Sequence, residues 1–319
     1  MSIYVLRNSA SESARVLAEA LNGRRVWKNQ GGIFAGRRLR PRPVPLNRGD
    51  VVVCWGTPID TALPPGTRSI NNIPLQSKYQ DAIKLKEAGV STVEVSRQRP
   101  APRPVGPPPT DPVIAAHTAA RESMNEFVDT RWARTPVYAD GVRGVIRDLN
   151  TLLETLGRPA PVATPAPPQG EWLGRSNDHV GGDDLLNNDG TDYFVKKEAF
   201  VNEYRVHSFN GKSIRAGRKV LRDGFQVGTG GHQTAHPWIR SWDGGWRIAY
   251  DGVSSKQRHR DLAHAAVKAL GLTFGAVDIG ERADGSLVVL EVNRAPGLEG
   301  GTIDVYRNAI QGFLAEVRA

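Results

Sequence analysis

Between Thr273 and Asn293 two apolar runs flank Ala283-Asp284-Gly285-Ser286. Asp-Gly in that setting is a strong hairpin signal, because a two-residue type I′ turn needs positive φ at both central positions. With Asp284 and Gly285 as the loop, counting back along both strands puts Asp278 opposite Glu291. Side chains alternate across a strand, so Asn293 shares the face of Glu291. Val277, Ile279, Val288, Leu290 and Val292 then line the other face. The chain must therefore build an antiparallel sheet with one apolar face and one face that sets two carboxylates beside an amide. Like charges directly opposed destabilise a sheet. A divalent cation would reverse that sign, and oxygen-only donors suit Mg²⁺. The alternative is that Arg282 and Arg294 neutralise the two carboxylates.

A second hairpin is expected from Asn202 to Val220, turning at Asn210-Gly211. The same counting sets Glu203 opposite Arg218, with Arg205 and His207 on that side and Lys196 and Lys197 just before. Several cations on one face suit phosphate oxygens. The plainer alternative is a surface ion pair, worth about 0 to 1 kcal/mol. A third feature is the loop Gly174–Gly182, which holds Arg175, His179, Gly181 and Gly182. Paired glycines beside a cation let backbone N–H groups approach a phosphate. No Walker A pattern and no Rossmann glycine fingerprint occurs. His232 and His236, beside Gly228, Gly230 and Gly231, lack a third suitably spaced ligand and read as structural or surface residues.

Length divides the rest. At 319 residues the chain exceeds a comfortable single core, so two or three lobes are expected. Residues 1–75 read as a small α/β lobe: strand Ile3–Leu6, helix Ser11–Leu21, then the buried parallel-type strand Val51–Trp55. Helix Lys78–Ala88, stopped by Gly89, and strand Ser91–Val95 follow. Seven prolines in Pro100–Pro112 and five in Pro159–Pro168 bracket an insertion over 99–169, with helices expected at 113–133 and 141–156. From Glu171 the pattern is β-rich, with one helix at Asp261–Leu270.

The net charge of +9 is concentrated. Arg24, Arg25, Lys28, Arg37, Arg38, Arg40, Arg42 and Arg48 occur with no Asp or Glu between them. This strip is either a docking surface for nucleic acid or another acidic polymer, or a solvated loop. No apolar run reaches the roughly 18 residues of a membrane span, so no membrane partner is expected. One cysteine, Cys54, excludes an intrachain disulfide framework and a multi-cysteine zinc site. A reducing, cytoplasmic setting is the expectation.

With these features in place, GLTFGAVDIGERADGSLVVLEVNRAPGLEG, from Gly271 to Gly300, resembles the C-terminal metal-binding signature of the ATP-grasp superfamily. That superfamily includes glutathione synthetase, D-alanine–D-alanine ligase and the enzymes that add glutamate to a ribosomal protein. KEAFVNEYRV, Lys197 to Val206, resembles the segment after the adenine-binding hinge in the ribosomal-protein-modifying branch, and SKYQDAIKLKEAGVSTVEV, Ser77 to Val95, resembles the opening helix and strand of the grasp module. The resemblance covers residues 76–98 and 170–319, and is similar in particular to ATP-grasp proteins of tailed phages.

The resemblance implies an α/β (α+β) fold: an N-terminal α/β lobe and two antiparallel sheets enclosing ATP, with 99–169 as a helical insertion. It implies an ADP-forming ligase that joins a carboxylate donor to an amine acceptor, whether small molecule, peptide or protein tail, through an acyl phosphate. Asp278, Glu291 and Asn293 would hold one or two Mg²⁺, with Glu291 bridging. Arg218, with Arg205 on the same face, would act near the phosphates and the acyl intermediate. Tyr193, Phe194, Val195, Lys196 and Lys197 would border the adenine, with Glu203 nearby, while Arg175, His179, Gly181 and Gly182 would close over the phosphates. Arg175 stands where the family usually carries lysine, and Phe194 and Lys197 where an acidic residue often stands. The location implied is cytoplasmic, in the host if the chain is phage-encoded. The competing reading is a catalytically weak grasp scaffold acting as a nucleic-acid-binding or virion-associated protein.

Overall fold

The computed structural model describes residues 1–7, 11–29, 32–37, 40–98, 172–177, 192–228, 233–251, 253 and 256–317. The chain divides into two compact units, Met1–Pro100 with Glu171–Ala319, and Ala101–Gly170. The helices expected at 113–133 and 141–156, both proline-rich stretches, and His179, Gly181, Gly182, Gly230, Gly231 and His232 lie outside the described residues.

The N-terminal sheet comprises β1 (Ile3–Leu6), β2 (Arg24–Asn29), β3 (Gly32–Arg37), β4 (Arg40–Pro43), β5 (Val51–Cys54) and β6 (Arg68–Ile70), in the order β4-β3-β2-β1-β5-β6. Strands β1, β2, β5 and β6 pair in parallel, whereas β3 and β4 are added antiparallel. The basic strip is thus largely strand, correcting the solvated-loop alternative. Its glycines and prolines are poor strand formers, so edge-on pairing with β2 overrides local preference. Helix α1 (Glu12–Ala20) starts at Ser11, whose hydroxyl accepts from Ala14 N–H, and it buries Ala14, Leu17 and Ala18. All four residues of β5 are buried, as a parallel strand covered on both faces requires.

Helix α2 (Lys78–Glu87) opens with a capping box in which Ser77 and Gln80 satisfy each other's backbone N–H groups. The strand expected at Ser91–Val95 shrinks to β7 (Val95–Ser96), with Thr92 making only an isolated bridge to Val289. Strands β8 (Trp172–Arg175) and β9 (Tyr193–Lys196) join β7 in an antiparallel three-stranded sheet, order β7-β9-β8.

The larger antiparallel sheet holds β10 (Asn202–Phe209), β11 (Lys212–Leu221), β14 (Trp246–Ala249), β15 (Phe274–Glu281) and β16 (Leu287–Asn293), in the order β14-β11-β10-β15-β16. A small parallel pair, β12 (Gln226–Val227) and β13 (Thr234–Ala235), lies between β11 and β14 in sequence. Helix α3 (Gln257–Ala269) begins four residues before the expected Asp261 and covers one sheet face. Ala263, Ala266 and Val267 pack there on Val206, Val277 and Ile279. A further helix, α4 (Thr302–Glu316), adds to the β-rich pattern with one helix that was expected from Glu171 onward. Its Tyr306, Ile310 and Leu314, four residues apart, share one core with Val5, Leu17 and Trp55 of the N-terminal lobe and with Phe209 and Phe274 of the large sheet. Among the described residues, no helix is long and apolar enough to cross a membrane.

Candidate active site

The candidate site is the polar face of the large sheet, and strand register decides what stands on it. In the β15–β16 hairpin the loop is one residue longer than Asp284-Gly285. Arg282 N–H donates to Ser286 O at 2.9 Å, Gly285 N–H donates to Arg282 O at 2.9 Å, and Gly285 takes φ +82. A three-residue loop shifts the pairing to Glu281 with Leu287 and Ile279 with Val289. A bulge between Asp278 and Ile279 then accommodates Leu290 as an extra residue and restores Asp278 opposite Glu291. The expected carboxylate pair therefore forms through two offsets that cancel. The core face is corrected in consequence: Val289, not Leu290, packs with Ile279 against α3.

The β10–β11 hairpin turns at Asn210-Gly211 as expected, but a bulge between His207 and Ser208 has no compensating offset. Arg218 pairs with Tyr204, is exposed, and stands on the opposite face from Glu203. This corrects the expected Glu203–Arg218 pairing. Lys219 takes that place, donating to Glu203 Oε2 at 3.0 Å.

Burial makes the cluster tight. Asp278, 3% exposed, accepts from Arg205 Nε at 2.6 Å and Nη2 at 2.8 Å in a planar fork, and Lys219 Nζ lies 3.3 Å from the Oδ2 that Nη2 also meets. Burial alone would raise the Asp278 pKa, but attraction to Arg205 and Lys219 outweighs it and holds the carboxyl below its ordinary value. The Lys219 ammonium, although desolvated, is held above its ordinary value by Asp278 and Glu203. Arg240 Nε stands 3.5 Å from Glu203 Oε1 and its Nη2 donates to Phe200 O at 2.7 Å.

On the neighbouring strand, Asn293 Nδ2 donates to Glu291 Oε1 at 2.7 Å, which orients the amide oxygen. Lys78, the first residue of α2, reaches across with Nζ 3.3 Å from Glu291 Oε2, 3.4 Å from Asn293 Oδ1 and 3.5 Å from Val292 O. The arginines expected to neutralise the carboxylates are engaged elsewhere, Arg282 with Glu198 and Arg294 with Asp81. Among the described residues, no group of three His, Cys, Asp or Glu has metal-ligand geometry. Two carboxylates and an amide oxygen nevertheless suit a hard divalent cation that draws its remaining ligands from water or phosphate. Two of those groups, Glu291 and Asn293, already meet a cation, the Lys78 ammonium, together with the Val292 carbonyl.

The face continues into a buried aromatic network. His207 is fully buried, its Nδ1 3.2 Å from Tyr306 OH and its Nε2 3.0 Å from Tyr250 OH. Burial, reinforced by Arg205, pushes its pKa down to about 3, so the ring is neutral at pH 7. Arg215 Cζ lies over the Tyr250 ring, 3.7 Å from its centroid, and Nη1 donates to Thr302 Oγ1 at 2.7 Å.

The remaining expected residues sit on or beside the three-stranded sheet. Tyr193 is buried, 6.0 Å between ring centroids from Tyr79, and pairs with Arg175 across the strands. Phe194 and Val195 pair with Ser96 and Val95, and are half-buried. Lys196 donates to Glu94 at 2.9 Å, and Lys197 lies 4.2 Å above the Trp238 ring. Sequence reasoning missed Lys219, Lys78, Arg240 and Tyr250. Lys219 was one uncompensated bulge away. Lys78 carries no spacing signal, because its partners are more than two hundred residues distant.

The chain is a mixed α/β protein whose large antiparallel sheet carries this charged face. No family model matches the sequence, and no curated protein matches it. Solved structures similar to it are D-cycloserine synthetase DcsG, 16% identical, with 98% of this chain and 100% of that chain covered at a TM-score of 0.48; macrocyclase MdnC bound with precursor peptide MdnA from Microcystis aeruginosa MRC, 10% identical, 98% and 99% covered at 0.48; and ATP-grasp ligase PsnB complexed with minimal precursor, 13% identical, 94% and 92% covered at 0.48.

Proposed function

We propose that this protein is an ATP-dependent carboxylate–amine ligase of the ATP-grasp type. The observation that carries the reading is the convergence of Asp278, Glu291 and Asn293 on one sheet face, ringed by Lys78, Arg205, Lys219 and Arg240. Hard oxygen donors beside a surplus of cations are what a metal-bound polyphosphate requires. Asp278, Glu291 and Asn293 would hold the Mg²⁺, which when bound neutralises phosphate charge.

In the proposed reaction a carboxylate oxygen of the donor attacks the γ-phosphorus, the bond to the β-phosphate oxygen breaks, and an acyl phosphate and ADP form. The amine then attacks the acyl carbon, the bond to phosphate breaks, and the amine loses its proton to give the amide. Arg205 and Lys219 would stabilise negative charge on the transferring oxygens. Lys219 takes the role that the resemblance assigned to Arg218. Tyr193 to Lys197 would border the adenine, with Glu203 ordering the cations. No covalent nucleophile is needed, in keeping with Cys54, whose burial pushes its thiol pKa up to about 12. The acceptor would be a small molecule, a peptide or a protein tail.

A second reading rests on the exposed Arg24, Arg25, Arg42 and Arg48 of the N-terminal lobe, which suit an acidic polymer such as nucleic acid. Thermal unfolding of wild type and Glu291→Ala with ATP, with and without Mg²⁺, separates the two. Ligand at about 100 times its Kd should add roughly 2.7 kcal/mol to wild type and nothing to the variant. No Mg²⁺-dependent shift in wild type would sink the ligase reading and turn attention to nucleic acid at the basic strip.

A further inference from the structure

We infer that Lys78 is a tethered counter-cation that holds the metal position when nucleotide is absent, so that free divalent metal binds poorly and enters with the polyphosphate. The inference rests on the proposed nucleotide site and adds to it a coupling between its two ligands.

The geometry points to Lys78 because its ammonium sits inside the oxygen set itself. Glu291 Oε2, Asn293 Oδ1 and Val292 O lie 3.3 to 3.5 Å from Nζ. The Asn293 amide is turned oxygen-first toward the ammonium, because its nitrogen is spent on Glu291 Oε1. The capping box fixes the first turn of α2, from which the side chain extends. Lys78 and Glu291 are 24% and 29% exposed at their side chains, so the pair stands at the rim and can part without unfolding the sheet. The other expected ligand, Asp278, is meanwhile held by Arg205 and Lys219.

A bare dication approaching this face meets carboxylates whose charge is already matched, and it gains their attraction only by displacing a cation at close range. A polyphosphate changes that balance. Its oxygens offer Lys78, Arg205 and Lys219 new partners, which frees Glu291 and Asn293 for the metal. Metal and nucleotide then bind with positive coupling, which by linkage acts equally on both. The role is positional. Lys78 need not touch reacting atoms.

The test is Mn²⁺ binding without nucleotide, followed by the electron-paramagnetic signal of the free ion, on wild type and Lys78→Met. Methionine keeps an apolar stem and removes the charge. The variant should bind Mn²⁺ about tenfold more tightly, within the ordinary range of coupling, and its gain in Mn²⁺ affinity on adding ATP should shrink. Lys78→Gln, which keeps a polar head, should behave alike, covering the case in which methionine disturbs α2. Equal or weaker Mn²⁺ binding in both folded variants would overturn the inference. If wild type still showed Mg²⁺-dependent stabilisation by ATP, the ligase reading would stand without it. If wild type showed none, both would fall together.

Discussion

Lys219 and Arg218 are adjacent cations, and register sets one among the buried carboxylates and leaves the other exposed on the opposite face. In Lys219→Met the Glu203 carboxylate, 7% exposed at its side chain, loses its 3.0 Å donor and keeps only Arg240 Nε at 3.5 Å. Asp278 loses a cation at 3.3 Å but keeps the Arg205 fork. Removing one partner of a buried pair costs roughly 3 to 5 kcal/mol. The surviving cations reduce that to about 2 to 3 kcal/mol. Arg218→Met, at an exposed position facing Tyr204, should change stability by less than about 0.5 kcal/mol. Urea unfolding followed by far-UV circular dichroism measures both. With a slope near 3 kcal/mol/M, Lys219→Met should lower the midpoint by about 0.7 to 1 M while Arg218→Met leaves it in place. The pH dependence is fixed by the same contacts. Asp278 is held below its ordinary pKa, so its contribution is complete above about 3.9 and is lost as pH falls through the depressed value. Lys219 is held above, so its contribution is complete below about 10.4 and is lost as pH rises through the raised value. The gap between wild type and Lys219→Met should therefore be widest near neutrality. Equal costs for the two variants, or a larger cost for Arg218→Met, would refute the bulge and everything placed by it.

His207 supplies a pH test in a separate window. Its folded pKa of about 3 lies below the unfolded value near 6.5, so its stabilisation is complete above 6.5 and drains away as pH falls toward 3. His207→Gln should lower the slope of wild-type stability between pH 6.5 and 5 by up to about 1.4 kcal/mol per pH unit, measured by urea unfolding across that range. An unchanged slope would mean that the ring protonates in the fold. Gly56, at φ +68, stands two residues past β5, and a Cβ there would collide with Arg7 Nη1 and come within 2.8 Å of the Ala295 Cβ. Gly56→Ala should cost about 1 to 3 kcal/mol, more than Gly49→Ala, where φ is +88 and nothing lies within 4 Å. Thermal unfolding of the two side by side decides it, and equal costs would discount the collision.

What could be read from the sequence followed the range of the forces involved. Turn chemistry is local, so Asp284-Gly285 and Asn210-Gly211 marked both hairpins. Bulges are not local, because they answer to packing across the sheet. In one hairpin the longer loop and the Leu290 bulge cancelled, and the Asp278–Glu291 pair came out as expected. In the other nothing cancelled, and Arg218 went to the wrong face. Helix α4 had a readable stripe in Tyr306, Ile310 and Leu314, obscured by Gly312 and by the β-rich run before it. Strands β3 and β4 had no such signal, since partners rather than propensities make them strands. Lys78 is the same lesson at its longest range.

The core shared by Val5, Leu17, Trp55, Tyr306 and Leu314 sets the order of synthesis against the order of folding. A ribosome moving at about 5 to 20 residues per second needs roughly 15 to 60 s to travel from Val5 to Leu314. Throughout that interval the apolar sides of β1, α1 and β5 have been made, and the helix that covers them has not. The nascent chain must keep those surfaces from other partners, by residual collapse or by a chaperone. Maturation of this protein is accordingly governed by the arrival of α4, and β1, although synthesised long before that helix, is secured only with it.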